Sequence, residues 1–256
     1  MIIDSHLHLD EKVDGTAIGA ASELNQQLIE SGIECALVIH LETQPWSIYE
    51  FSEALSMYSN MYGFINVNPN KGNPEKLLLE GIESLDFKGL KLHPRLQGFD
   101  LDGKNVIRLV RYAGELNIPV IIDAFPDGDF LMKDFSPLAY AHLAQKCPNT
   151  RIICAHMGGH YVIDFMMLAK RLPNVFFDFS YSLLYYQMSS IPIDMIYAMR
   201  SMKFDRIFYG SDYPDRSISA SLKLTLKILE SQNLTESELD KIMFRNAQNF
   251  FLWDKH

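Results

Sequence analysis

Eight short apolar runs, each followed by a stretch of helical periodicity, constrain this chain more than any other feature. The runs lie at residues 2–8, 35–40, 62–67, 87–93, 119–123, 151–155, 175–178 and 206–210. Several are continuously apolar, such as Val120-Ile121-Ile122, as in parallel strands buried on both faces. Between them, apolar residues at helical spacing predict helices over 18–31, from Pro45-Trp46 to about residue 60, from Pro74 onward, and over 103–116, 135–146, 160–171 and 192–202. Gly32 stops the first of these, and Pro74 suits the first position of its helix. Two more helices, over 217–231 and 237–250, finish the chain, and Thr235 with Glu238 forms a capping box for the second. Eight strand–helix alternations with no linker or low-complexity segment predict one α/β domain over residues 1–256. Its form is a (β/α)8 TIM barrel with an extra C-terminal helix. The alternative is an open doubly wound sheet; no G-x-G-x-x-G follows the first strand, which speaks against its nucleotide-binding version.

Composition narrows the partners. With 48% hydrophobic and 21% charged residues, the chain has ample material for one core. A net charge of −9 gives no encouragement to nucleic-acid or anionic-membrane binding, and leaves a small-molecule substrate as the expected partner. Cys35, Cys147 and Cys154 form no C-x-x-C and are odd in number, which predicts reduced thiols in a cytoplasmic protein. The N-terminus has no signal-peptide pattern, and no apolar run reaches the ~18 residues of a membrane span.

In a barrel of this kind, chemistry sits where strands end. Strand one ends in His6-Leu7-His8; side chains two apart on a strand share a face, so both imidazoles can address one divalent ion. Strand four ends in Lys91-Leu92-His93, strand five in Asp123, strand six in His156, and strand eight in Asp212. Imidazoles and carboxylates thus collect at five of the eight strand ends.

His6-Leu7-His8, Gly89-Leu-Lys-Leu-His-Pro94, Ala155-His-Met-Gly-Gly159 and Gly210-Ser-Asp-Tyr-Pro214 resemble, in this order, the metal-dependent amidohydrolase superfamily. The likeness is to its amidohydrolase 2 branch, which contains hydrolases, aminocarboxymuconate-semialdehyde decarboxylase and aromatic-acid decarboxylases. It extends to Arg245-Asn-Ala-Gln-Asn-Phe250, similar to the branch's closing Asn-Ala segment. The resemblance implies one divalent ion, zinc or else manganese, held by His6, His8, Asp123 and Asp212, with His156 as catalytic base or further ligand. Asp123 is the departure, because the branch usually carries His there. As a ligand, a carboxylate in its place shifts preference toward harder ions; as a group behind the ligands, it holds a histidine N–H. Lys91 stands where some superfamily members carry a carboxylated, metal-bridging lysine.

The expected function is metal-dependent hydrolysis of a small, carboxylate-bearing substrate by activated water, with His156 and Asp212 handling the proton. Lys91, His93 and Arg95 are the expected substrate contacts, Arg95 as a bidentate carboxylate clamp. The alternative keeps the site and releases CO₂, as a lyase. A TatD-like nuclease also begins with His-x-His, but Gly-Leu-Lys-Leu-His-Pro stands here in place of its Glu motif. A ligand-binding barrel without catalysis is the fourth reading. His40 reads as a structural histidine, His160 as either site or surface, and Asp178 and Ser180 as groups that orient a ligand or floor the pocket. The aromatic stretch from Tyr181 to Met188 reads as a pocket wall or, preferentially, the interface of a homodimer.

Overall fold

Parallel strands pair in sequence order around one sheet: β1 (Ile3–Leu7), β2 (Cys35–Ile39), β3 (Met61–Asn66), β4 (Gly89–Leu92), β5 (Val120–Ile122), β6 (Ile152–Cys154), β7 (Val175–Asp178) and β8 (Ile207–Phe208). The computed structural model describes residues 1–251. The last and first strands meet through Ser5 N–H to Tyr209 O at 2.9 Å, Asp212 N–H to His6 O at 2.8 Å and His8 N–H to Tyr213 O at 2.8 Å. These bonds bring the two ends of the sheet together, and the (β/α)8 barrel follows. β8 is shorter than the apolar run 206–210 predicts, because the Tyr209 N–H turns away to Ile242 O at 3.0 Å.

The helices are α1 (Ala17–Glu30), α2 (Ile48–Ser56), α3 (Pro74–Ser84), α4 (Pro94–Gln97), α5 (Lys104–Glu115), α6 (Gly128–Leu131), α7 (Pro137–Lys146), α8 (Val162–Ala169), α9 (Ser182–Tyr185), α10 (Ile191–Ser201), α11 (Ile218–Ser231), α12 (Glu236–Asp240) and α13 (Asn246–Phe251). Side-chain caps set many of their starts. Ser47 and Glu50 form a capping box, so α2 begins at Ile48 rather than at Pro45. Thr235 and Glu238 form the box expected at α12. The C-terminal helical stretch is continuous with a π-turn over Lys241–Arg245. No described helix is long and apolar enough to cross a membrane.

Alternation along each strand divides the core in two. Ala36 and Val38 face the helical ring, while Leu37 and Ile39 point into the barrel. Inside, they meet Ile3, Phe64, Ile121, Ile153 and Phe208. The C-terminal helix plugs this inner core with Phe244, Ala247 and Phe250. Asn246 anchors the plug by donating to Phe204 O at 2.7 Å and Ile207 O at 2.8 Å. One end of the barrel is therefore filled with apolar side chains, and the polar strand ends face the other.

Candidate metal centre

His6 and His8 leave β1 on the same face, and a backbone or side-chain acceptor behind each fixes its ring. His8 Nδ1 lies 2.8 Å from Ile39 O; a carbonyl only accepts, so Nδ1 carries the proton and Nε2 presents its lone pair. His6 Nδ1 lies 3.0 Å from Asp178 Oδ2, which sets the same tautomer. The two Nε2 atoms face Asp212 Oδ1, at 3.5 Å from His6 and 3.9 Å from His8. One ligand atom from each of these three residues falls within 4.8 Å of the other two. Burial lowers both imidazole pKa values, that of His8 well below the ordinary range, so both stay neutral and able to ligate. Two preset imidazole nitrogens and one carboxylate oxygen make a donor set that fits a divalent ion.

Behind the ligands, Asp178 at the end of β7 acts as a hub. Its Oδ2 takes the His6 ring, while Oδ1 accepts from His156 N at 3.2 Å, from Ser180 N at 3.1 Å and from the Ser180 hydroxyl. Burial would raise this carboxyl, but His6, His156 and Ser180 outweigh it and hold it well below the usual range.

Local backbone shape delivers the remaining groups. His156 and Met157 have φ of 62° and 50°, and Gly158 and Gly159 continue the left-handed run. This run delays α8 to Val162, later than the helical pattern at 160–171 predicts. A side chain on Gly158 would meet the Phe165 ring at 2.1 Å. Asp212 also adopts a left-handed φ, of 57°. Such conformations are costly for non-glycine residues and cluster at functional sites. Gly210 solves a different problem: a Cβ there would stand 2.8 Å from His6 Cβ and 2.9 Å from Ser180 Cβ, so only glycine lets β8 approach β1 this closely.

Asp123, at the end of β5, does not join the group formed by His6, His8 and Asp212. Its Oδ1 lies 3.4 Å from His156 Nε2, and its Oδ2 is 3.5 Å from His93 Nδ1 and 3.9 Å from Arg95 Nη2. His156 Nδ1 meets Ser180 O at 3.1 Å, so both of its ring nitrogens face acceptors. Burial lowers the pKa of His156, but the hydrogen bond to Asp123 and the Asp212 and Asp178 carboxylates prevail and raise it to about 9. Burial pulls His93 the other way, to about 3. Lys91 is buried with Nζ 3.4 Å from His6 Nε2; burial lowers its pKa against the pull of Asp123, Asp178 and Asp212.

These groups open on one cavity of about 280 Å³, which Arg95, Asp127, Phe125, Tyr181, Tyr185 and Leu41 also line. Of the residues singled out from the sequence, His6, His8, Lys91, His93, Arg95, Asp123, His156 and Asp212 line it, while Asp178 is buried behind them. His40 stays apart from the cavity, buried with Nε2 3.3 Å from Trp46 O. His160 is exposed and does not line it, with Nδ1 3.1 Å from the Tyr186 hydroxyl. The loop 181–188 divides: Tyr181 and Tyr185 line the cavity and Met188 is 96% exposed.

A family model described as amidohydrolase matches residues 51–253. The chain belongs to the amidohydrolase family. Family members are metal-dependent hydrolases or decarboxylases, and this amidohydrolase carries a His/His/Asp group able to hold an ion. Its fold is shared by an uncharacterized TIM-barrel protein of Bordetella bronchiseptica, 16% identical, with 98% of each chain covered and a TM-score of 0.80. A probable 2-pyrone-4,6-dicarboxylic acid hydrolase of Acinetobacter baumannii with citric acid bound is 14% identical; 98% of this chain and 99% of that one align, with a TM-score of 0.70. The 5-carboxyvanillate decarboxylase of Novosphingobium aromaticivorans, with manganese and a nitrobenzoic acid bound, is 16% identical, with 90% of this chain and 80% of that one covered and a TM-score of 0.65. At these identities the likeness is one of fold. No curated protein sequence matches this one.

Sequence reading of this amidohydrolase passed over Phe125 and Asp127, although Asp123-Ala-Phe-Pro-Asp127 leaves β5 directly into a loop at the catalytic end. The Ile39 carbonyl that fixes His8 is a backbone atom and left no mark in residue types.

Proposed function

We propose that this amidohydrolase is a metal-dependent hydrolase acting on a small carboxylate-bearing substrate, with the ion held by His6, His8 and Asp212. The observation that carries this reading is the convergence of two tautomer-fixed Nε2 atoms and one carboxylate oxygen at the barrel mouth. A divalent ion there supplies Lewis acidity and makes water a competent nucleophile at neutral pH. Zinc suits the two imidazoles, and manganese is the harder alternative.

The chain's own groups divide the remaining work. Asp212, partly exposed at the cavity, accepts the proton that the attacking water loses. His156, whose Nε2 faces Asp123 and which lines the cavity, is the group placed to pass a proton to the leaving group. Asp123 acts here behind the ion, orienting His156, rather than on it. Arg95 and Lys91, with the neutral imidazole of His93 beside them, form the wall that receives the substrate carboxylate. Phe125, Tyr181 and Tyr185 face it and limit the solvent reaching the site.

Non-oxidative decarboxylation is the second reading. It is supported by that aromatic wall, which suits a planar acid, and by the manganese-bound decarboxylase among the proteins of like fold. The metal part is tested by His6→Ala/His8→Ala: elemental analysis should show stoichiometric ion in the parent and none in the double variant. Retention of metal by the double variant would place the ion elsewhere. Product analysis then separates the reactions, since hydrolysis adds the elements of water and decarboxylation releases CO₂. A second copy of the chain is the proposed macromolecular partner.

A further inference from the structure

We infer that Asp127 is an internal competitor for the carboxylate-binding position at Arg95, so that a ligand's carboxylate enters by displacing it. The inference rests on the reading above that Arg95 receives the substrate carboxylate. Arg95 lies in α4, just past the end of β4, and its side chain lines the cavity. Its guanidinium is poorly used. Nη1 pairs with Asp127 Oδ2, Nη2 is 3.9 Å from Asp123 Oδ2, too long for a hydrogen bond, and Nε is buried with no partner. A guanidinium offers five donors in a planar fork that matches a carboxylate bidentately. Here one edge is occupied and the rest of the fork is left over.

Asp127 cannot fill that fork, because its other oxygen has a second task. Oδ1 accepts from Phe130 N–H at 2.8 Å and caps α6. The carboxylate is divided between a cap and an ion pair. A free carboxylate has no such tie and can take two donors of the fork at once. Its entry exchanges one anion for another at Arg95, and Asp127 keeps its cap. Asp127 therefore weakens anion binding twice, by occupying Nη1 and by adding negative charge to a cavity that already holds Asp123 and Asp212. This sets a selectivity: ligands that engage the fork bidentately bind, and those that offer a single weak acceptor do not displace Asp127.

The test uses benzoate as probe, with calorimetric titration at equal measured metal content. Asp127→Asn removes the charge and keeps the cap, since Asn and Asp cap helices about equally. It should bind benzoate about tenfold tighter than the parent, and the gain should vanish when Arg95→Met is added. Asp127→Ser, another good capping residue, should behave as Asp127→Asn and covers the case in which one variant folds poorly. Unchanged or weaker binding in both Asp127 variants overturns the inference, as does a gain that survives without Arg95. The two levels separate through Arg95→Met alone. If it weakens benzoate while the Asp127 variants have no effect, only the inference falls. If it leaves benzoate binding unchanged, Arg95 is not the receptor, and the inference falls with that reading.

Discussion

Asp123 ends β5 beside His156 Nε2, at 3.4 Å, and beside the neutral His93. Burial would raise its pKa, yet the imidazoles of His93 and His156 and the Lys91 ammonium hold it well below the usual carboxylate range. It is thus a permanent anion whose nearest acidic N–H belongs to His156. Titration with zinc and manganese should show Asp123→Ala weakened by ~10–100-fold toward both ions, as for loss of a group behind the ligands, with their ratio unchanged. A shift of preference toward zinc in Asp123→His would instead make Asp123 a ligand. The same pair imposes a pH dependence on the metal-free protein. The folded pKa of His156, about 9, lies above its unfolded value of about 6.5. Its contribution to stability is therefore complete below about pH 6.5 and is lost as pH rises through about 9. Between about pH 7.5 and 8.5 the cysteines add a slope of the same sign, because unfolded thiols titrate near about 8.5 while burial raises Cys147, Cys154 and Cys35, the last to about 12, in the fold. In that window the stability that chelator-treated parent holds over His156→Gln should fall by on the order of 1 kcal/mol per pH unit in denaturant titrations. His156→Gln should thus reduce the slope; an equal slope in that variant would assign it to another group. The residues themselves were legible because strand-end position and side-chain chemistry coincide in His6, His8, His156 and Asp212. Their pairings were not, since the contact of Asp123 with His156 depends on how two adjacent strands end.

Elements carried their own signals to different degrees. β5 and β6 were visible as unbroken apolar runs, because both of their faces are buried, by the inner core and by the helical ring. α12 was visible from its capping box, which depends on only two residues three apart. The four-residue helices α4, α6 and α9 were not visible, because one turn is too short to show a period. Each nevertheless matters to the cavity, since α4 carries Arg95, Asp127 caps α6, and α9 carries Tyr185. The left-handed run from His156 to Gly159 was not visible: two glycines suit such a backbone, but nothing in residue type foretold that His156 and Met157 would share it. The parts that hold the barrel together were thus the readable ones, and the parts that shape the pocket arise from short segments forced into place by the strands they follow.

For the whole molecule, eight alternations and a closing helix were enough to predict the barrel, because few architectures bury so many two-faced strands. Its outer surface was less legible, since helical periodicity says which face is buried but not what covers the other. α8 and α10 pack side by side and expose apolar residues one turn apart, Ile163 and Met167 on one and Ile193 and Tyr197 on the other. Met188, in the loop that also brings Tyr185 to the cavity, is exposed nearby in sequence. Each helix has a carboxylate in its first turn, Asp164 or Asp194, and a base at its end, Lys170 or Arg200. A two-fold axis perpendicular to these helices would set them antiparallel across the contact, placing acid against base around an apolar centre. The expected state is therefore a homodimer built on α8 and α10, broader than the Tyr181–Met188 segment that first suggested one. Light scattering should report a dimer at micromolar concentration, and Met167→Glu/Ile193→Lys should shift it to monomer while circular dichroism stays unchanged. A parent that remains monomeric would end this assignment, and a dimer that survives both substitutions would move the interface to another face. Because the loop with Met188 is continuous with the cavity wall, separation of the subunits should also raise KM more than it lowers kcat, which a contact remote from the site would not do.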